Sequence, residues 1–473
     1  MEVRQSSIFS NPASAAGVRR WDGSGRRSTE WDGLRRDAEL WLSGGDCFVH
    51  LYEKCRSRRG PSFCVPMEAL KQATCGSLFT LCFAQKLHRS EVPLSQLSAL
   101  KDPPEEMYEL YVPAPKDLTR VEAFQWHLTT RNFFAFVLRK PLVGTHLGSA
   151  LIDLQERFHL FRSTDSPENY DTFMEYAEEV GYRNFVGRPD NALAMLYYAE
   201  RYKLKSLWTD AYVHCVGMNE TLHLNPEYDP TPSITKALIT RAYLEMDLHL
   251  GRVSKALSNF VKDELSPSTL SLTQGAGAHL ERFRSFLHSF CIEKFCYWPP
   301  PNGNNFSKAL YSSMYLDFRS LYDFLADMDS SDSLQSQQHT DDRICVLQSL
   351  QAFNKRHKYT PLPYPLPLLP APQPPTKLGH KQTKTQKQLM ACASLFAATN
   401  WKNASIVNAP LVCAYRLFER DWTNKQKDDV SMSDARRVCW ILVYATLQML
   451  ISVIRAPPEV RDTEGAHYPL CCL

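Results

Sequence analysis

Glycine is sparse in this chain, 19 residues in 473 against 30 prolines, which weighs against phosphate-cradling loops and points to helices separated by rigid linkers. Neither Gly-x-Gly-x-x-Gly nor Gly-x-x-x-x-Gly-Lys occurs, so the two familiar nucleotide-phosphate loops are excluded. The 14 cysteines contain no Cys-x-x-Cys pair and are too dispersed for a secreted disulfide scaffold. Residues 1–20 are rich in Ser, Ala and Arg, are broken by Pro12, and lack the apolar stretch of a secretory signal; Glu2 argues against a transit peptide. Reduced thiols and a cytoplasmic or nuclear location are therefore expected. Charge of neither sign is in excess: 54 Lys and Arg face 51 Asp and Glu, a net of +3, so no whole-molecule field draws the chain to nucleic acid. Long apolar runs are also missing apart from 438–454, where Thr446, Gln448 and Ser452 interrupt and Pro457-Pro458 follow. That run reads as a buried core helix rather than a transmembrane segment.

What is present fits a folded, water-soluble protein: 44% hydrophobic and 22% charged residues supply a core for two to four ordinary domains. The fold class expected is mainly α with a small N-terminal β-sheet. Its parts are a disordered tail (1–37), an α+β body (46–218), a helical region (233–328), a flexible Ser/Gln/Asp insertion (329–342), a Pro-rich then basic linker (361–387) and a C-terminal helical region (389–458). Cys-Phe-Val-His-Leu-Tyr (47–52) and Ser-Phe-Cys-Val (62–65) have strand length and flank a charged loop, and 108–112 supplies a third strand. Residues 67–87 read as a helical pair. Apolar residues at 193, 196, 199, 204, 207, 208, 211 and 215 repeat at helical spacing, which predicts two short helices meeting near Lys203. Ser431 and Asp434 have capping-box spacing ahead of the last helix.

Candidate functional residues fall into four sets. Trp21 and Trp31 sit in two similar Trp-Asp-Gly phrases, read either as a linear binding motif or as tail anchors docking on the body. Arg56, Arg58 and Arg59 crowd the hairpin loop, where they would grip phosphate or face solvent. Pro372, Pro375 and Lys377 fit the Pro-x-x-Pro-x-Lys pattern of Src-homology-3 ligands, within a stretch that would equally serve as a strap on the protein's own aromatics. Cys471 and Cys472 are candidates for lipidation, although Leu470 stands where a Cys-a-a-X box needs cysteine. No cofactor and no metal is expected: His288, Cys291 and Cys296 approach ligand spacing, yet a structural zinc needs a fourth ligand.

The order of elements in 46–218 resembles a BTB/POZ domain, in which a small sheet precedes helices. The closing helical pair of that family carries a pattern like Leu-x-x-Ala-x-x-Tyr-x-Leu-x-x-Leu, met here by Leu196, Ala199, Tyr202, Leu204 and Leu207. Phrases at 57–63, 129–135, 214–218, 236–247 and 358–363 are similar to those of an uncharacterised family of filamentous ascomycete fungi that carries a domain of unknown function. The first resemblance implies a protein-interaction adaptor, the second a shared fold without an activity. The expectation is a non-enzymatic interaction or scaffold protein with protein partners and a capacity for self-association. Two alternatives stand beside it: an enzyme whose site is assembled from His127, Arg131 and His214, and a peripheral membrane protein held by the terminal cysteines.

Overall fold

The computed structural model describes residues 18–21, 36–56, 59–98, 100–101, 103–163, 165–300, 306–330, 344–371, 383–425 and 430–471. The chain divides into two compact units, Met1–Thr240 with Pro458–Ala466, and Arg241–Pro457 with His467–Leu473. Mostly helical, with its sheet in the N-terminal part, the fold is of the α+β class.

In the first unit, β1 (Arg19–Trp21) is followed by β2 (Cys47–His50), β3 (Phe63–Val65), α1 (Met67–Gln72), α2 (Gly76–Leu81), β4 (Phe83–His88), the short α3 (Leu94–Leu97) and β5 (Glu106–Tyr111). The sheet order is β3-β2-β5-β4; β2 runs antiparallel to β3 and parallel to β5, and β4 closes the edge antiparallel to β5. Cys47, Phe48 and Val49 of central β2 are all buried, as an unbroken apolar run in a strand covered on both faces requires. β4, an edge strand, is exposed or half-buried along its whole length and carries Lys86, which suits an exposed border. The predicted helical pair over 67–87 is thus corrected in its last part: Phe83–His88 is strand.

Helices then take over: α4 (Arg120–Val137), α5 (Leu147–Phe161) after the short β6 (Leu142–Gly144), α6 (Ser166–Glu179), α7 (Pro189–Tyr202), α8 (Lys205–Gly217), α9 (Asn219–Leu222) and α10 (Ser233–Ser258), inside which the division between the units falls. Thr119 and Glu122 close a capping box on α4. The aromatic run of α4 is core. Phe133 meets Phe158 and Phe161 edge to face, at 6.1 and 5.1 Å, and Phe136 meets Tyr176 at 5.4 Å. α7 ends where predicted, with Lys203 left-handed at φ 56°, ψ 40°.

Two polar devices hold this unit. Arg131 on α4 is buried; its Nε donates to Asp37 and its Nη2 to Glu39, both at 2.8 Å, and Nη1 donates to the Pro141 carbonyl at 2.6 Å. Arg20 of β1 bonds the other oxygen of Glu39 at 2.8 Å, and β1 pairs antiparallel with β6. The second device is Glu227, which accepts from the amides of Leu147 and Gly148 at 2.6 and 3.0 Å and so caps α5 from a distant part of the chain. The chain also returns from its far end: Arg461 bonds Asp210 through its amide at 3.0 Å, and reaches Glu178 and the Arg183 carbonyl with its guanidinium.

In the second unit, α11 (Gln274–Phe295), α12 (Lys308–Leu325), α13 (Val346–His357), α14 (Lys384–Ala397), α15 (Ala404–Val407) and α16 (Pro410–Lys425) precede α17 (Met432–Ile454). α17 packs on α11, α12 and α13, and residues 438–450 are buried throughout. Ser431 caps it by accepting from the Asp434 amide at 3.0 Å. This helix is long and apolar enough to cross a membrane, and most of its apolar stretch is buried within the protein. The Pro-rich stretch splits: residues 361–371 lie as a strap on this unit's own aromatics. The Tyr444 hydroxyl accepts from Leu362 N at 2.9 Å, the Tyr322 hydroxyl accepts from Tyr364 N at 3.0 Å, and Trp440 Nε1 donates to the Pro365 carbonyl at 2.8 Å.

Two outcomes test these devices. Arg131→Ala leaves Asp37 buried without its partner and is expected to lower stability by about 3–5 kcal/mol, read from urea unfolding followed by tryptophan fluorescence. Burial raises the Glu227 carboxyl from 4.5 to about 7. Its contribution is therefore complete below the unfolded value near 4.5 and is lost as pH climbs to about 7. Relative to Glu227→Gln, the unaltered protein should lose up to about 3 kcal/mol between those limits, measurable as diverging Tm values from pH 4.5 to 7.5.

Candidate functional site

The clearest candidate surface is an apolar groove on the second unit, about 460 Å³, walled by α14 and α16 and floored by Phe324 of α12. Its walls follow from helical spacing. Cys413, Arg416, Leu417 and Arg420 stand at i, i+3, i+4 and i+7 and share one face of α16, while Cys392, Leu395 and Phe396 line the side of α14. Phe396 and Leu417 remain largely exposed, as does Trp401, whose ring lies 5.7 Å from that of Phe396. Arg416 reaches over Phe396 at 5.4 Å. The groove's carboxylate, Glu419, is consumed internally: Arg436 holds both its oxygens at 2.7 and 2.9 Å, and the Tyr415 hydroxyl donates to it at 2.7 Å. Arg416, Arg420 and Lys402 have no carboxylate partner among the described residues. Aromatic, aliphatic and arginine side chains thus meet in one open cleft.

A second, shallower cavity of about 600 Å³ lies along α4 and α5. Arg157 on its floor stacks on Trp126 at 3.8 Å and donates to Thr130 Oγ1 at 2.7 Å, and burial lowers its guanidinium to about 10. Burial raises the Asp153 carboxyl, against the opposing hydrogen bond from Gln125 at 2.8 Å. Nearby, burial takes the His127 imidazole down to about 4 and the Cys82 thiol up to about 11. At pH 7 His127 is neutral, Arg157 charged and Cys82 a thiol, so these three supply no group poised to exchange a proton.

The residues singled out from sequence are placed as follows. His127 packs against Tyr52 at 5.6 Å, Arg131 is spent on Asp37 and Glu39, and His214 lies against Phe185 with Nε2 3.3 Å from the Arg461 carbonyl. Three separate sets of neighbours hold them, and they do not form one constellation. Trp21 is buried in β1, which corrects its assignment to a disordered 1–37 tail and agrees with a docked anchor; Trp31 lies outside the described residues. Arg56 pairs with Glu53 at 2.8 Å and Arg59 lies 6.0 Å from the Tyr52 ring, while Arg58 lies outside the described residues. Pro372, Pro375, Lys377 and Cys472 also lie outside them. Cys471 is buried, and burial pushes its thiol up to about 11, which removes it from the accessible surface a lipid-transferring enzyme needs. Cys291 is buried while His288 and Cys296 are exposed, and no three His, Cys, Asp or Glu side chains converge on a metal position among the described residues. Sequence reasoning passed over Arg416, Leu417, Arg420 and Phe396, although Pro410 as a helix start and the i, i+4 arginines were legible signals.

Native thiol labelling tests this geometry: iodoacetamide with peptide mass spectrometry should modify Cys413, Cys345, Cys296 and Cys55 before Cys471, and early loss of Cys471 would contradict its burial. In comparison with known proteins, no curated protein and no solved structure matches the chain. Residues 170–262, which take in α6 from Tyr170 onward and the whole of α7 to α10, are similar to the model of a domain of unknown function (DUF8004).

Proposed function

We propose that this chain is a non-enzymatic protein-interaction or scaffold protein acting in the cytoplasm or nucleus, with the α14/α16 groove as a docking face. The observation that carries the reading is the groove itself: exposed Phe396, Trp401 and Leu417 beside arginines that have no carboxylate partner among the described residues, on a helical support. The N-terminal unit is read as BTB/POZ-like. Support comes from the β2/β3 hairpin, the parallel β2/β5 pair and the closing helices α7 and α8; edge strand β4 and the β1/β6 pair are additions to that plan. Kinship with the filamentous-ascomycete family belongs to the same reading and rests on the sequence phrases together with the DUF8004 stretch. The enzyme alternative has less support, because His127, Arg131 and His214 each serve the packing. Membrane attachment through Cys471 is opposed by its burial.

Proximity labelling with the full chain in cells, set beside Leu417→Asp, tests the proposal. Leu417 is exposed, so the variant should keep the Tm of the parent within about 1 °C while losing most groove-dependent partners. An identical partner set for both chains, with no self-association by light scattering, would remove the scaffold reading. Recovery of a cullin among the remaining partners would identify the adaptor form that the BTB-like unit implies.

A further inference from the structure

We infer that the α14/α16 groove receives an amphipathic helix from a partner protein, with carboxylates one helical turn apart facing Arg416 and Arg420. This rests on the scaffold reading and specifies its ligand. Both walls are helices whose backbone groups bond internally, so they offer no strand edge to an incoming chain. An extended segment would bring its own amides and carbonyls against Phe396, Leu395 and Leu417 without acceptors or donors. A helix satisfies its backbone before it arrives and presents side chains at i, i+3 and i+4 to a groove of this kind.

The sign of the partner follows from the charges around the cleft. Glu419 is neutralised by the two bonds from Arg436, which leaves Arg416 and Arg420 as the groove-lining charges without an ion-pair partner among the described residues. Arg416 and Arg420 are one turn apart on α16, so a complementary helix carries Asp or Glu at a matching interval of about 6 Å. Rim charges of this type choose among partners and raise the association rate, whereas burial of Phe396 and Leu417 supplies affinity.

Two fluorescein-labelled helical peptides of 18 residues test the inference by anisotropy against the full chain in 50 mM NaCl. Both carry one leucine stripe; one has glutamates at the flanking positions and the other lysines. The glutamate peptide should bind at least ten times more tightly than the lysine peptide. The double variant Arg416→Glu, Arg420→Glu should reverse that order, and Leu417→Asp should weaken both peptides. Equal binding of the two peptides, still lost in Leu417→Asp, would overturn the acidic partner while leaving a docking groove and the scaffold reading in place. Binding of neither peptide would overturn the inference; if Leu417→Asp then also converts a self-associated chain to monomer, a second copy is the occupant.

Discussion

The second unit depends on the burial of one guanidinium. Arg436 lies in the second turn of the most apolar helix of the chain, fully enclosed, and its five N–H groups all find acceptors: two oxygens of Glu419, and the carbonyls of Leu368, Leu395 and Ala398. Desolvating such a charge is tolerable only when every donor is matched. The matching partners come from three places: α16, the C-terminal end of α14 and the proline-rich strap. Carbonyls at a helix C-terminus lack intrahelical partners and carry the negative end of the dipole, so a cation is their natural complement. One side chain thereby sets the separation of the two groove walls and seats the strap against α17. A lysine there would offer a single point of charge and would not match the planar spread of acceptors.

The first unit uses the same chemistry to a different end. Arg131 gathers Asp37, Glu39 and the Pro141 carbonyl, which joins the segment before β2, the β1/β6 pair and the middle of α4. Glu227 does for α5 what a local cap does for α4, but from the far side of four helices in sequence. Several residues with the look of chemistry are thus clamps. Buried charge marks an active site only when something is left over to react, and here Arg436 spends all five N–H groups and Arg131 each of its three nitrogens on the fold itself.

Much of the architecture was legible because it rests on periodicity. The stripe on α7 and α8, their junction at Lys203, the Ser431 cap and the burial of α17 all follow from apolar spacing and local hydrogen bonding. The strand β4 was hidden because Leu78 and Leu81 keep a helical spacing up to its edge, while its real determinant is pairing with β5, 18 to 28 residues away. The short β6 is likewise specified by its partner β1 rather than by its own three residues. The groove was invisible for a related reason: α14 and α16 are each ordinary amphipathic helices, and only their juxtaposition through Arg436 makes an exposed Leu417 and Phe396 one surface. Charges near 131 and 227 were read as sites or not at all, because their partners lie about 80 to 94 residues away in sequence.

The return of Pro458–Ala466 to the first unit has a consequence for how the protein is made. Asp210 is buried within α8, and its oxygens are met by the amide and guanidinium of Arg461, 251 residues later. A ribosome delivers α8 long before it delivers that arginine. Until residues 458–466 are made, Asp210 lacks both bonds from Arg461 and keeps only His214, 3.8 Å away, as a nearby basic group. Residues 458–466 thus act as a latch on the first unit, one that can close only after residues 241–457 have been made.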